Sequence, residues 1–107
     1  MHSTPGPGLL ESVYEQWLGH ELLFRNLSVA RQVALPVIYR GMRIDAGLRI
    51  DMIVNDLVVV EIKAIEKLLP VHEAQLLTYL KLSQIRLGLL INFNTVRVRD
   101  GIRRLIK

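Results

Sequence analysis

The spacing of apolar residues changes several times along the chain, and each change predicts a new secondary-structure element. From Leu9, apolar residues recur at the three-and-four spacing of an amphipathic helix, which should fade near Arg25-Asn26 because Asn favours helix ends. A second helix is predicted from Val71 to about Gln84, and Pro70 suits its first turn. The apolar residues that define the first helix are Leu10, Val13, Tyr14, Trp17, Leu18 and Leu22.

Three strand-like segments lie between these helices. Residues 29–37 are rich in β-branched side chains, and Tyr39-Arg40-Gly41-Met42 is typical of a hairpin connection to a second strand at 43–54. After a turn at Asn55-Asp56, residues 57–63 form the most strand-like segment, which is apolar on both faces up to its charged end. We therefore expect this third strand in the centre of a sheet that is covered on both sides.

The C-terminal part predicts one more strand and a turn. Residues 86–93 indicate a buried fourth strand, and the helix before them suits a right-handed crossover from the third strand. Asp100-Gly101 signals a tight turn, so the end should form a short hairpin or a strand followed by one helical turn. This order predicts an α/β (α+β) fold, with a mixed four-stranded sheet flanked by helices and then a basic tail. We expect a flexible lead-in at 1–7 and a single domain at 8–107.

Composition limits the class of protein. With 107 residues, 50% of them hydrophobic and 22% charged, the chain has the length of one domain and is too apolar for a disordered tail. The absence of cysteine excludes disulfides, thiolate metal sites and a cysteine nucleophile. No run approaches the ~18 apolar residues of a membrane span, so we expect a cytoplasmic protein with no membrane partner. Its apolar excess then belongs in a core or in a homodimer interface.

Positive charge is concentrated at the C-terminal end. Lys and Arg number 14 against 10 Asp and Glu, for a net charge of +4. Because arginine suits phosphate well, this composition permits a polyanionic partner, while the alternative is an ordinary solvated face. The basic residues of the last eleven positions are Arg97, Arg99, Arg103, Arg104 and Lys107.

Three charged residues on neighbouring predicted strands form a candidate catalytic set. Asp51 lies on the second strand, and Glu61 and Lys63 end the third, where a spacing of two places both on one face. Two carboxylates can hold Mg²⁺ or Mn²⁺ beside a scissile phosphate, with the backbone carbonyl of Ile62 as a further ligand. The lysine can orient or deprotonate the attacking water. The alternative is a surface hairpin with an ion pair, but charged residues rarely end a buried strand without a partner or a purpose.

The metal-site hypothesis makes a demand on the loop between these two strands. A two-residue loop at Asn55-Asp56 would pair Asp51 with Val60, and Glu61 would then face the opposite side of the sheet. The hypothesis therefore predicts an odd-length loop, such as one that also includes Leu57, or a bulge.

The two helices add polar residues to this set. His72, Gln75 and Tyr79 share one face of the second helix, and Glu11 lies beside the apolar stripe of the first helix, where it could reach the sheet. For His72 we favour a local hydrogen bond at the helix end, and Tyr79 suits core packing equally well.

Glu21 is unusual because it projects near the centre of the apolar stripe of the first helix. We expect it to form a buried salt bridge with an arginine such as Arg31 or Arg40, and we assign it no catalytic role.

The segment around the start of the first helix resembles a family signature. Gly8-Leu9-Leu10-Glu11-Ser12-Val13-Tyr14 is similar to the motif of the GxxExxY protein family, which belongs to the PD-(D/E)XK nuclease superfamily. Further segments that resemble this family, in the same order, are Arg49-Ile50-Asp51, Val60-Glu61-Ile62-Lys63-Ala64, residues 72–80 and residues 88–94.

The resemblance implies a restriction-endonuclease-like αβββαβ core and a site built on the three candidate residues of the strands. It implies that Glu11 can join the metal site. Gln75 and Tyr79 resemble a Q-x-x-x-Y element that borders the site and the nucleic acid, and we count Gln75 among the catalytic candidates.

The leading hypothesis is a Mg²⁺- or Mn²⁺-dependent nuclease that hydrolyses DNA, with RNA as an alternative substrate. Arg49, Tyr79 and the C-terminal arginines would bind the nucleic acid, since phosphate contacts supply most sequence-independent affinity. Only six residues are aromatic, so no platform for single strands is evident, and we favour duplex or structured DNA. The alternatives are a catalytically silent nucleic-acid-binding module and a protein-interaction module that retains the nuclease fold.

Overall fold

Two α-helices, seven strands and one 3₁₀ turn make up residues 9–107, the part of the chain that this computed structural model describes. The lead-in predicted at 1–7 lies outside the described residues. Neither α-helix within 9–107 is long and apolar enough to cross a membrane. The elements are α1 (Leu9–Phe24), β1 (Val29–Ala34), β2 (Val37–Tyr39), β3 (Met42–Ile44), β4 (Arg49–Val54), β5 (Val58–Lys63), α2 (Pro70–Ser83), β6 (Leu87–Asn92), the 3₁₀ turn (Val98–Gly101) and β7 (Ile102–Ile106).

The main sheet contains five strands in the order β1-β4-β5-β6-β7. β5 lies at its centre, as its apolar sequence predicts. β5 and β6 are parallel and are connected through α2, whereas the other neighbouring strands are antiparallel. The mixed sheet flanked by helices is therefore confirmed. It has one strand more than the predicted four, because the C-terminal segment follows the hairpin alternative: it pairs with β6 as β7 instead of remaining a basic tail.

The first two predicted strands are each divided in two. β1 ends before Leu35-Pro36, where proline has no N–H to donate to a strand ladder. β2 and β3 then form a separate hairpin around Arg40 and Gly41, whose φ values of 51° and 76° are typical of a tight turn. The N–H of Leu35 donates to the carbonyl of Leu48 at 2.9 Å, so the hairpin continues from the end of the β1–β4 pair.

The two faces of the sheet are covered unequally. α2 packs on one face, where its Leu76 and Leu80 are fully buried. α1 packs on the other face, where its Leu18 and Leu22 are only half-buried against the sheet. Trp17, which the sequence spacing places on the same apolar stripe, is 52% exposed. The α2 face therefore holds the tighter half of the core, and α1 leaves apolar surface open.

The turn predicted at Asp100-Gly101 forms as the 3₁₀ turn between β6 and β7. Gly101 is buried, and a Cβ there would collide with the carbonyl oxygen of Asn92.

We expect Gly101→Ala to lower the free energy of unfolding by about 1–3 kcal/mol, the usual range for overpacking a closed site. Urea denaturation measures this difference. Asp100→Ala, at the exposed neighbouring position, is the control and should change stability little; a Gly101→Ala variant as stable as that control would contradict the close approach.

Candidate active site

A three-residue loop joins β4 to β5, as the metal-site hypothesis requires. Val54 pairs with Val58 across residues 55–57. Continued along both strands, this register sets Asp51 opposite Glu61. The two-residue loop, which would have turned Glu61 to the other face, is therefore absent from this connection.

The β4–β5 strand pair opens at Asp51. Ladder pairing between the two strands stops at its neighbour Met52. Ile50 packs in the core on the α2 face, whereas Met52 packs on the α1 face, although residues two apart in a regular strand share a face. Gln32, across from Asp51 on β1, is skipped in the β1–β4 pairing and has a positive φ of 52°. The side chains of β4 therefore change faces at Asp51, and the hydrogen-bonded pairing of β4 with β5 ends there.

Two carboxylates accept the backbone hydrogen bonds at this opening. The N–H of Asp51 donates to Oε2 of Glu61 at 2.8 Å, and the N–H of Ile62 donates to Oδ2 of Asp51 at 2.8 Å. Glu61 is only 4% exposed and Asp51 is half-buried. Within residues 9–107, no fully buried side-chain nitrogen or oxygen lacks a hydrogen-bond partner.

Burial raises the pKa of both carboxyl groups. For Glu61, burial and then the negative charge of Asp51 raise the pKa from its ordinary 4.5 to about 8. For Asp51, burial raises the pKa above its ordinary 3.8, although the hydrogen bond from Ile62 acts in the opposite direction. A bound cation would favour the ionised forms of both groups. Binding of a cation to this pair would therefore release protons.

Lys63 ends β5 on the same face as Glu61, two residues further along. Its positive charge partly opposes the burial that raises the pKa of Asp51 and of Glu61. The structure therefore brings the three strand residues of the candidate set together.

On α2, the three predicted polar residues have different surroundings. Tyr79 is 5% exposed and packs in the core, and burial followed by the charges of Glu61 and Asp51 raises the pKa of its hydroxyl. Gln75, one helical turn earlier, is exposed. His72 accepts a hydrogen bond at Nδ1 from the N–H of Leu69 at 2.9 Å, which confirms its local role at the helix end. Tyr79 thus lies near the carboxylates and Gln75 lies on the helix surface.

Glu11 reaches from α1 to the end of β5. Its Oε2 accepts a hydrogen bond from the N–H of Ala64 at 3.0 Å. After burial itself, the negative charges of Glu15 and Glu11 contribute to the raised pKa of Asp51. Glu11 therefore borders the carboxylate pair, with one oxygen engaged by the backbone.

Glu15 is a buried acid that sequence spacing does not single out. It is 5% exposed; its Oε2 accepts hydrogen bonds from Nε and Nη2 of Arg31 at 3.1 and 3.0 Å, and its Oε1 accepts one from Gln32 at 2.6 Å. Glu15 thereby connects α1 to β1 opposite Asp51, where Gln32 interrupts the strand pairing.

The salt bridge expected for Glu21 was wrong: Glu21 is exposed. Glu15 and Glu21 are about 1.7 helical turns apart on α1, so their side chains point in different directions. The sequence analysis placed the buried side of α1 at the wrong one of these two residues.

Asn92 is a second buried polar residue that the sequence analysis missed. It lies at the end of β6, 3% exposed, where its Oδ1 accepts a hydrogen bond from the N–H of Ile65 at 3.1 Å. Its Nδ2 donates to the carbonyl of Ile65 at 2.9 Å. Asn92 thereby holds the segment that follows Lys63 against β6. The signal in the sequence that could have identified Asn92 is its position as a polar residue at the end of an apolar segment.

The available oxygen atoms suit a hard divalent cation. Asp51 and Glu61 each keep one carboxylate oxygen free of backbone hydrogen bonds, and the Ile62 carbonyl belongs to the same short segment. Mg²⁺ commonly binds through one or two carboxylates and completes its shell with water and substrate phosphate. Among residues 9–107, no group of three or more Asp, Glu, His or Cys has a metal-binding arrangement. The residues therefore fit a two-carboxylate site rather than a preformed protein cage.

The predicted phosphate-binding arginines are all exposed, but they do not form one surface. Arg49 begins β4, close in sequence to the carboxylate pair. Arg103 and Arg104 are consecutive on β7, and consecutive strand residues point to opposite faces. Arg97 and Arg99 lie in the connection between β6 and β7. The basic C-terminal cluster is thus divided between the two faces and the end of the sheet.

Comparison with known proteins supports the same fold. A family model described as the PD-(D/E)XK nuclease superfamily matches residues 1–105, nearly the whole chain. The narrower GxxExxY family is not confirmed. No curated protein matches the chain, and no solved structure matches it.

Proposed function

Because the chain belongs to the PD-(D/E)XK nuclease superfamily, we propose that it hydrolyses phosphodiester bonds of DNA with the help of Mg²⁺ or Mn²⁺. Members of this superfamily are typically nucleases, and they generally use divalent metals. The observation that carries the proposal is the opposed pair Asp51 and Glu61, with Lys63 beside it. A purely structural hairpin gains little from this pair, because burial and mutual repulsion disfavour both charges.

Asp51 and Glu61 would hold the cation through the oxygens that their backbone hydrogen bonds leave free. The Ile62 carbonyl is a further donor. Glu11 can contribute the oxygen that does not accept the hydrogen bond of Ala64. When bound, the cation polarises the phosphate and lowers the pKa of a coordinated water.

Lys63 supplies positive charge on the face where Glu61 lies. Hydrolysis forms a bond from the water oxygen to phosphorus and breaks the bond from phosphorus to one sugar oxygen. The lysine ammonium donates hydrogen bonds to the attacking water and to the phosphate, where negative charge builds up in the transition state. The water releases its proton to solvent, and the departing sugar oxygen takes one from solvent.

Three further residues would contact the substrate around this centre. A tyrosine hydroxyl is protonated at neutral pH and can donate a hydrogen bond, and the raised pKa of Tyr79 acts in the same direction. Gln75 lies exposed on the same helix, and Arg49 is placed to bind a flanking phosphate. Phosphate contacts of this kind position the strand without reading its sequence.

A cleavage assay with defined metals tests the proposal. The protein is incubated with supercoiled, linear duplex, single-stranded and branched DNA, and with RNA, in Mg²⁺, Mn²⁺ or EDTA. We expect at least one form of DNA to be cut in Mg²⁺ or Mn²⁺ and none to be cut in EDTA, because the water needs the cation for activation. Calorimetric titration with Mn²⁺ measures metal binding independently.

The remaining outcomes separate the alternatives. Exclusive cleavage of RNA would correct the substrate. Salt-dependent DNA binding without metal binding or cleavage would favour the silent binding module. Absence of both DNA binding and metal binding would overturn the nuclease proposal and favour a protein-interaction module.

A further inference from the structure

Three aromatic rings gather at one place, although the sequence shows only six aromatic residues and no evident platform. Tyr14 and Phe93 stack with ring centroids 4.5 Å apart and planes inclined by 7°. Trp17, nearly one turn after Tyr14 on α1, meets Phe93 edge-on at 6.2 Å. With Val13 and Val98, these rings line a cavity of about 330 Å³. This volume lies within the range of small-ligand pockets.

Two hydrogen bonds attach the walls of this aromatic cavity to the end of β5, which carries Glu61 and Lys63. The N–H of Phe93 donates to the carbonyl of Lys63 at 2.8 Å. Glu11, which precedes Tyr14 by nearly one turn on α1, accepts the N–H of Ala64. Both walls of the cavity are therefore attached to residues 63–64 at the end of β5. Phe93 and Tyr14 pack on the α1 face of the sheet, whereas Glu61 shares the α2 face with Val59. A nucleic-acid strand therefore meets both sites by passing around this end of the sheet.

The surface around the cavity combines open apolar groups with positive charge. Trp17 is 52% exposed and Val98 is 45% exposed. Arg97 and Arg99, both exposed, flank Val98 in the chain. Of the three rings, only that of Trp17 is exposed. An exposed ring beside arginines can bind an unpaired nucleotide, because the ring stacks on the base and the arginines attract the backbone.

We propose that the aromatic cavity binds an unpaired base of the DNA strand that the active site cuts. The substrate class is then single-stranded DNA, or duplex DNA with a frayed or branched end, instead of the intact duplex expected from the number of aromatic residues. The role in cleavage rests on the proposed function, whereas base binding can be measured without catalysis. Base preference should be weak, because stacking on these apolar and aromatic groups accepts every base.

Fluorescence of Trp17 measures occupancy of the cavity directly, because it is the only tryptophan in the chain. The protein is titrated in EDTA with a short oligothymidylate and with a duplex of the same length. We expect saturable quenching by the single strand and weaker quenching by the duplex. An abasic position, moved one nucleotide at a time, should abolish the quenching at one register.

Variants test the same contact by fluorescence anisotropy of a labelled oligothymidylate. Trp17→Ala should weaken binding about 5- to 100-fold, from a stacking contribution of about 1–3 kcal/mol per base. Trp17→Phe should retain most of the affinity. Leu23→Ala is the matched control, because Leu23 is 54% exposed on the same helix and does not line the cavity.

Equal affinity of Trp17→Ala and the wild type would overturn the cavity proposal, as would equal quenching by the duplex. It would also be overturned if Trp17 emission changed with protein concentration without DNA and sedimentation showed a dimer, since the face would then join two copies. Quenching with no metal-dependent cleavage would refute the nuclease activity and leave the base site standing. Metal-dependent cleavage with unaltered single-strand binding by Trp17→Ala would refute the base site and leave the nuclease standing.

Discussion

Glu61→Gln should reduce metal-dependent DNA cleavage by at least about 100-fold and leave the protein folded. Changes to residues that merely support a metal ligand already cost about 10- to 100-fold in affinity or activity, so loss of a ligand should reach or exceed that range. The amide keeps an oxygen that can accept the N–H of Asp51, as Oε2 of Glu61 does at 2.8 Å. It loses the charge that attracts the cation. Single-turnover cleavage at several Mg²⁺ concentrations measures the effect.

Glu21→Gln is the matched control for this variant. It removes one carboxylate from the same protein and changes the net charge equally, but Glu21 is exposed on α1 and takes no part in the carboxylate pair. We expect it to cleave at nearly the wild-type rate. Wild-type cleavage and metal dependence in Glu61→Gln would show that the cation binds elsewhere.

In EDTA, the protein should lose stability as the pH rises from about 5 to about 9. Burial and then the charge of Asp51 raise the pKa of Glu61 from 4.5 to about 8. The folded state thus holds this proton more tightly than the unfolded state does. The stabilisation is complete below pH 4.5 and is lost as the pH rises through about 8. At about 1.4 kcal/mol per pKa unit, the loss over the whole titration is on the order of 5 kcal/mol.

The neighbouring charges modify this titration without reversing it. Asp51 also has a raised pKa and acts in the same direction, Glu15 adds negative charge from α1, and Lys63 partly opposes both. Urea denaturation at a series of pH values measures the slope. Glu61→Gln should flatten it, and Mg²⁺ should stabilise the wild type more at about pH 9 than at about pH 5, since the cation needs the ionised carboxylates. Stability that rises with pH in EDTA would contradict the burial of this proton.

Hydrophobic spacing was sufficient to predict the helices and the central strand. Three consecutive valines before Glu61 need cover on both faces, and only a central strand provides it. Spacing was insufficient for β7. Arg103 and Arg104 read as a basic tail, but Leu105 packs against the core and the backbone pairs with β6. A short strand of this kind depends on its partner, which lies elsewhere in the chain.

The candidate site was predictable where its residues are close in sequence. Asp51, Glu61 and Lys63 belong to one hairpin, so period-two alternation places them on one side if the loop has three residues. The sequence left the loop length open, and the structure decided it. Glu15 and Asn92 were missed for a different reason. Their hydrogen bonds go to Gln32 and Ile65, on other elements, and depend on the rotation of α1 and on the packing of the loop after β5.

The sequence by itself determined the two helices, the central position of β5 and the closeness of Asp51, Glu61 and Lys63 on neighbouring strands. These features depend on the spacing of apolar and polar residues and on short loops, both of which relate residues that are close together in the chain. The tertiary structure alone decided which acid of α1 is buried, that the side chains of β4 change faces at Asp51 and that Tyr14, Trp17 and Phe93 meet. Phe93 lies far along the chain from the two rings of α1, and no local spacing relates them. They come together because α1 packs on the face of the sheet where β6 ends, and that packing is driven by burial of apolar side chains from distant parts of the chain.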